Sequence, residues 1–349
     1  MQNRTAKELI LPKPPAQFGG ASAGWGVGGM MCLLCASACI TVATALTPSP
    51  EPVSHPQTPE LDQQFWKVLQ SGDYEQISSV EIPIKAAYLE QPRDPVLAAK
   101  LGFLHAWRVT ERARLKEVGP DITDDLSMAQ RYFHAAHRLE PDNPIYHGFY
   151  AAYALADATI HDDPKRLTQA GLESRNAIRA WPEFNLFTFA YLTHALPYDD
   201  QRNADAVADL DDIIHRCIGD APPSSASDFA QALDRSTHAP DERQRRACGN
   251  TDKVPFNIQG FMLNLGDTLV RQGDLERAQF VYETLQQTAE HAAWPFHAIT
   301  ETRLQNLQVN VGRFQKNPPR GTPYINPTDR AMFHSSIACV GCHQAAEAP

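Results

Sequence analysis

Apolar positions from residue 61 onward follow a helical period of three to four residues, and no stretch alternates as a β-strand does. One spacing recurs in register: a small or apolar residue, another four positions on, a third three positions later, and in three of four copies a proline five positions beyond. Such a stripe covers one face of a helix, and the proline ends that helix. The sequence therefore predicts an all-α fold. The four copies are Val80-Ile84-Ala87-Pro92, Ala129-Phe133-Ala136-Pro141, Ala170-Ser174-Ala177-Pro182 and Ala278-Tyr282-Leu285.

The fourth copy and the helix before it resemble the tetratricopeptide repeat (TPR), through Leu265-Gly266, Leu269, Gly273-Asp274 and Tyr282. Leu101-Gly102 resembles the same pattern more loosely. The resemblance implies a TPR-like helical-hairpin solenoid over residues 61–300, whose concave face, lined by the first helix of each pair, binds peptides or proteins. Intervals of 49 and 41 residues between copies exceed the usual spacing, so an irregular helical body with no peptide ligand is the alternative.

Residues 1–45 have the composition of an export signal. Three basic residues fall within the first 13 positions, and residues 19–50 carry no charge. Ala43-Thr44-Ala45 has the small-x-small form of a cleavage site. We therefore expect the remainder of the chain to lie outside the cytoplasm, in the periplasm or an equivalent compartment.

Two other interpretations of this segment lead to the same compartment. Residues 21–46 are long enough to stay uncleaved as an inner-membrane anchor, and Cys39 is a weaker candidate for a lipoprotein site. Five prolines between residues 46 and 60 then predict an extended tether between the membrane and the folded part.

The cysteine count supports an oxidising compartment. Of seven cysteines, three lie in the export segment and two lie near the end of the sequence, which leaves Cys217 and Cys248. We predict a disulfide between them. The alternative is a pair of unrelated buried thiols.

The clearest chemical motif is Cys339-Val340-Gly341-Cys342-His343, the C-x-x-C-H pattern that attaches a c-type haem. Cys339 and Cys342 would bond to the two haem vinyl groups, and His343 would be the proximal iron ligand. Two alternatives fit the same residues: a redox-active thiol pair with an incidental histidine, and a zinc site completed by His334.

The sequence around Pro327 predicts a single haem-bearing helix from about residue 327 to 346, within a C-terminal unit of residues 301–349. On such a helix His334 faces away from His343, and Met332 lies roughly 16 Å from it along the axis. A distal iron ligand would then come from elsewhere. The weak candidates are His105, His147 and His194, with Met128 and Met262 as alternatives that would raise the potential.

The position of His334 relative to the motif has a further possible meaning. His334 lies five residues before Cys339. The spacing resembles that of multihaem cytochromes, in which a histidine at this place often coordinates a different haem. The resemblance implies contact with a second haem in a partner or a second copy. An exposed or hydrogen-bonded histidine is the alternative.

Charge and motifs narrow the function. A net charge of −10 argues against nucleic-acid binding. The sequence contains no G-x-S-x-G, H-E-x-x-H or phosphate-binding glycine loop. We therefore expect an exported monohaem c-type cytochrome, an electron carrier or redox subunit in contact with redox proteins such as another cytochrome. The alternatives are a periplasmic TPR scaffold or assembly factor with an active C-x-x-C-H, and a five-coordinate haem sensor or enzyme.

Overall fold

The computed structural model describes residues 51–194, 196, 198–200, 202–219, 223–316 and 327–346. The predicted export signal and residues 46–50 of the predicted tether lie outside these residues. The rest of the tether, residues 51–60, contacts the body: the N–H of Val53 donates to the carbonyl of Arg93, and that of His55 donates to Asp94. The described part contains fifteen α-helices, five short 3-10 helices and no strand, which confirms the all-α prediction. None of these helices is long and apolar enough to cross a membrane.

The α-helices in chain order are α1 (Thr58–Ser71), α2 (Ile77–Glu90), α3 (Pro95–Thr110), α4 (Ile122–Leu139), α5 (Pro144–Ile160), α6 (Pro164–Ala180), α7 (Pro182–Thr193), α8 (Arg202–Ile218), α9 (Ala226–Ser236), α10 (Glu242–Cys248), α11 (Asn257–Gln272), α12 (Leu275–Gln287), α13 (Ala298–Gln305), α14 (Leu307–Phe314) and α15 (Val340–His343). The 3-10 helices span Tyr74–Gln76, Arg112–Arg114, His291–Ala293, Pro327–Asp329 and Met332–His334.

Three helices begin with the same local signal, an Asp or Asn followed by proline. Asp94, Asn143 and Asp163 each accept two backbone N–H groups in the first turn of α3, α5 and α6. The proline that follows each of them loses no helical hydrogen bond at that position and already has a helical φ.

The recurring stripe of the sequence is buried throughout. All twelve of its apolar or small positions are at most 3% exposed, on α2, α4, α6 and α12. Each of these helices packs against the helix that precedes it. Glycines permit the closest approaches: a Cβ on Gly102 of α3 would lie 2.7 Å from the Phe133 ring of α4, and one on Gly266 of α11 would collide with Tyr282 of α12.

The predicted continuous helix over residues 327–346 is wrong. This stretch, which we call the docked segment, instead contains two 3-10 turns and the four-residue helix α15. The reason is that its backbone bonds to the body: the N–H of Met332 donates to the carboxylate of Asp267, and those of Cys339 and Val340 donate to Glu111. These external bonds replace the bonds of a regular helix.

A disulfide joins Cys217, in the last turn of α8, to Cys248 at the end of α10. Their Cα atoms are 5.6 Å apart, and both residues are buried. The bridge links two residues that are 31 positions apart, and no copy of the recurring stripe lies between them.

Replacing Cys217 and Cys248 together by alanine should lower the free energy of unfolding by about 3–4 kcal/mol, because the bridge restricts the unfolded chain over a separation of 31 residues. Urea unfolding of the oxidised wild type and the double variant measures the difference. The reduced wild type should unfold like the variant. A loss below about 1 kcal/mol would mean that the bridge contributes little.

Candidate functional site

The docked segment lies inside the helical body. Ten of the twelve residues from 331 to 342 are buried. The segment is held mainly through its main chain: Tyr191 of α7 donates to the carbonyl of Ala338 at 3.0 Å, and Arg303 of α13 donates to the carbonyl of Arg330 at 2.5 Å. Its position therefore depends on side chains of several helices that are distant in sequence.

A buried ion pair holds the start of this segment. The Nε of Arg303 lies 2.7 Å from Oδ1 of Asp267, and both side chains are fully buried. The hydroxyl of Tyr282 donates to the same oxygen at 2.6 Å, and the N–H of Met332 donates to Oδ2 at 2.7 Å. The ion pair thus connects Tyr282, which belongs to the recurring stripe on α12, to the docked segment.

Glu111, directly after α3, holds the start of α15. Its Oε1 accepts the N–H groups of Cys339 at 2.8 Å and Val340 at 2.9 Å. Its Oε2 accepts hydrogen bonds from Nε1 of Trp107 at 2.9 Å and from Nε of Arg114 at 2.7 Å. Burial raises the pKa of Glu111, while Arg114 and the hydrogen bonds oppose the rise. Glu111, which directly follows α3, therefore caps the start of α15.

The far end of the motif is also fixed through its backbone. The indole of Trp294 donates to the carbonyl of Gly341 at 2.7 Å, and the N–H of Phe256 donates to the carbonyl of Cys342 at 3.1 Å. The N–H of Ala345 then donates to Gln70 of α1 at 2.9 Å. All five residues of the motif lie between these bonds and those of Glu111.

Both thiols of the motif point to protein neighbours. A Cβ on Gly260 of α11 would collide with Sγ of Cys342, so only glycine fits opposite this sulfur. Burial raises the pKa of Cys342 to about 12 and that of Cys339 well above its usual value, the latter with a contribution from the charge of Glu111. Neither sulfur is a thiolate at neutral pH in this arrangement, which argues against a redox-active thiol pair.

His343 is oriented by a backbone carbonyl. Its Nδ1 lies 3.1 Å from the carbonyl oxygen of Lys253, so Nδ1 carries the proton and donates it. Burial lowers the pKa of His343, and the charge of Lys100 lowers it further. The ring is therefore neutral with its lone pair on Nε2, the tautomer that a metal-ligating histidine needs.

An aromatic and basic group of side chains borders this imidazole. The ring centres of His343 and Trp66 are 6.0 Å apart. The ammonium nitrogens of Lys100 and Lys253 lie 4.2 Å and 5.6 Å from the Trp66 ring centre. Burial lowers the pKa of Lys100 to about 8, although Asp62 pairs with it at 2.6 Å.

The three histidines proposed from the sequence as distal ligands have different partners. His105 of α3 bonds to Asp125, and His147 of α5 bonds to Glu173. His194 bonds to Thr268, and its ring centre lies 4.2 Å from that of Phe333 in the docked segment. Of the three, His194 lies against the docked segment.

The methionines also differ in position. Met262 of α11 is fully buried in the core, and Met128 is a half-buried residue of α4. Met332, which the helical prediction placed roughly 16 Å away from His343, instead packs against the motif: a Cβ on Gly341 would lie 2.6 Å from its Cε. The prediction was wrong because the segment between residues 334 and 340 turns back and is not helical.

His334 lies apart from the motif's sulfurs. It lies next to His194, and its side chain forms a hydrogen bond with the backbone of that residue. In the described part of the chain, one group of three potential ligand side chains has its ligand atoms within 4.8 Å of one another, and that group includes no residue of the motif. The arrangement therefore does not favour the zinc alternative.

Sequence patterns indicated the C-x-x-C-H motif but none of the other residues that form this site. Glu111 had one weak signal, a carboxylate four residues after Trp107 at the end of an apolar helix. Lys253 acts through its carbonyl, which no side-chain pattern reveals. No protein-family model, no curated protein and no solved structure matches this chain. The function must therefore be argued from the site.

Replacing Glu111 by glutamine should loosen α15 on the body, because an amide has one oxygen and cannot accept from both the backbone donors at Oε1 and the Trp107 and Arg114 donors at Oε2. We expect a loss of about 1–3 kcal/mol in stability and faster hydrogen exchange at the amides of Cys339 and Val340. Exchange measured by mass spectrometry on peptides from residues 331–346 reports this. Glu276→Gln, at an exposed position of α12, is the control. Equal exchange in both variants would contradict the capping role.

The protein should lose stability as the pH falls below about 6.5. Burial lowers the pKa of His334 to about 3 and that of His194 well below its usual value, so the unfolded chain binds more protons than the folded one in this range. Each such histidine contributes up to about 1.4 kcal/mol per pH unit. Urea unfolding between pH 7 and about 4.5 should show a shallower pH dependence for His334→Gln than for the wild type. Parallel profiles would contradict this.

Proposed function

We propose that this protein is an exported c-type cytochrome that carries one haem on Cys339 and Cys342, with His343 as the proximal iron ligand. The observation that supports this most directly is the orientation of His343. Its Nδ1–H is held by the Lys253 carbonyl, on the same short helix turn that carries the two cysteines. The donor set of two thiols and a neutral imidazole suits a covalently bound haem.

A bound haem would supply a one-electron iron couple, and the residues of the chain would position it. Glu111 fixes the start of the attachment turn, Trp294 and Phe256 fix its end, and Lys253 sets the direction of the imidazole. Trp66 and the two lysines beside it would give that side of the imidazole an aromatic and positively charged border.

The body is proposed as a TPR-like solenoid that holds its own C-terminal segment. The docked segment hydrogen-bonds to α1, α7 and α11 and to Glu111 directly after α3, and each of these four helices is the first of a helix pair. In TPR proteins the first helices line the peptide-binding face. The close approach of Gly102 to Phe133 and of Gly266 to Tyr282 supports the same comparison. Such a face would position the haem segment, and an external peptide would have to compete with it.

We infer that the protein transfers electrons as a carrier or redox subunit, with redox proteins such as another cytochrome as partners, in the periplasm or an equivalent compartment. The raised pKa values of both thiols disfavour the competing role as a thiol-based assembly factor.

Expression in the periplasm of a bacterium with a c-type haem maturation system should yield a covalently haem-bearing protein. The pyridine haemochrome spectrum should show a c-type band, and haem should stay with the chain after denaturation. Replacing Cys339 and Cys342 by alanine should remove the band, because no thioether can form.

The control is the Cys217→Ala and Cys248→Ala double variant, which removes the same number of cysteines and should keep the haem. A wild-type protein without a c-type band would overturn the proposal and favour the scaffold. A high-spin spectrum that changes with carbon monoxide would identify a five-coordinate iron and favour the sensor.

A further inference from the structure

A second group of ligand-type side chains lies on three consecutive helices. His137 of α4, His147 of α5 and Glu173 of α6 place one ligand atom each within 4.8 Å of the others. None of the three belongs to the C-x-x-C-H motif. No sequence motif indicates this group, because its members are up to 36 residues apart and follow no metal-binding spacing.

The geometry within this cluster is unusual for structural histidines. The His137 and His147 rings are stacked, with centres 4.3 Å apart and an angle of 15° between their planes. Nε2 of His147 lies 3.0 Å from Oε2 of Glu173. Nδ1 of His137 is buried and has no hydrogen-bond partner. A buried ring nitrogen without a partner is uncommon, and a metal ion is one of the partners that satisfies it.

Two imidazoles and one carboxylate form a ligand set typical of zinc sites that keep a fourth position open. In a tetrahedral site with bonds of about 2.0–2.1 Å, ligand atoms are about 3.3 Å apart. The 3.0 Å between Nε2 of His147 and Oε2 of Glu173 is close to this separation, and a metal ion would replace the proton that they share. The His137 nitrogen lies within 4.8 Å of both atoms and would have to move closer. Exposed fractions of 13% for the His147 side chain and 28% for that of Glu173 leave a path for an ion.

One further histidine lies close to this cluster. His134, one turn before His137 on α4, stacks on Tyr150 and senses the charges of Glu173 and Arg138. It is near enough to His137 to act on it electrostatically. Its ring is not part of the group whose ligand atoms lie within 4.8 Å of one another.

We propose that His137, His147 and Glu173 bind a divalent transition-metal ion such as Zn²⁺, which links α4, α5 and α6. The site is independent of the haem motif. Its role is to hold three helices of the body together, with water in the fourth position.

Zinc binding to the untagged, chelator-treated mature protein tests this directly by isothermal titration calorimetry. We expect one zinc ion per chain. His147→Gln and Glu173→Gln should each raise the dissociation constant at least about tenfold, since even an outer-shell partner is worth that much. His161→Gln is the matched control, because His161 also faces a carboxylate, that of Asp157, at the end of α5. It should bind zinc as the wild type does.

Cobalt substitution then identifies the ligands in protein that is produced without the haem maturation system, so that haem does not hide the cobalt bands and both motif cysteines are free. A visible spectrum of nitrogen and oxygen coordination that disappears in His147→Gln supports the site. A thiolate-to-cobalt charge-transfer band would place the ion on Cys339 and Cys342 and overturn the proposal. Absence of binding, or binding unchanged in both cluster variants, would overturn it too. Circular dichroism of the metal-free variants shows that they are folded, and His137→Gln provides a second, independent removal of a ligand.

Discussion

The structure depends on the pairing of a buried, mostly non-helical main chain with buried carboxylates. Backbone N–H groups that leave water must find acceptors, and a segment that is not a helix cannot supply them itself. Asp267 and Glu111 supply them here, and each is itself neutralised, by Arg303 and by Arg114. A charge buried in this way is stable only when its partners are present, so the body and the docked segment are expected to order together.

This arrangement has consequences for the chemistry of the motif. The thiols and imidazole lie in a dry environment, which keeps the cysteines protonated and His343 neutral. The sulfur of Cys342 packs against Gly260, so a haem bonded to this sulfur would require the residues around it to move.

The helical body would serve two purposes under these proposals. Its first helices receive the docked segment, and its second helices carry the stripe that keeps each pair together. The histidine cluster lies where α4, α5 and α6 meet, and the disulfide closes the irregular region between α8 and α10. Under these proposals, a metal ion and a disulfide would add cross-links to the packing of the helices.

The sequence by itself determined the helical class and the buried stripe, because these depend on local periodicity. It also singled out the cysteines and His343, whose spacing is local. Only the tertiary structure decided the path of the docked segment. The helix-start signal near Pro327 is local, and it was overridden by Glu111 and Asp267, 229 and 65 residues away from the groups they bind. A pattern of neighbours in sequence cannot reveal such partners, because backbone donors and carbonyls are the same in every residue and only the folded chain brings them together.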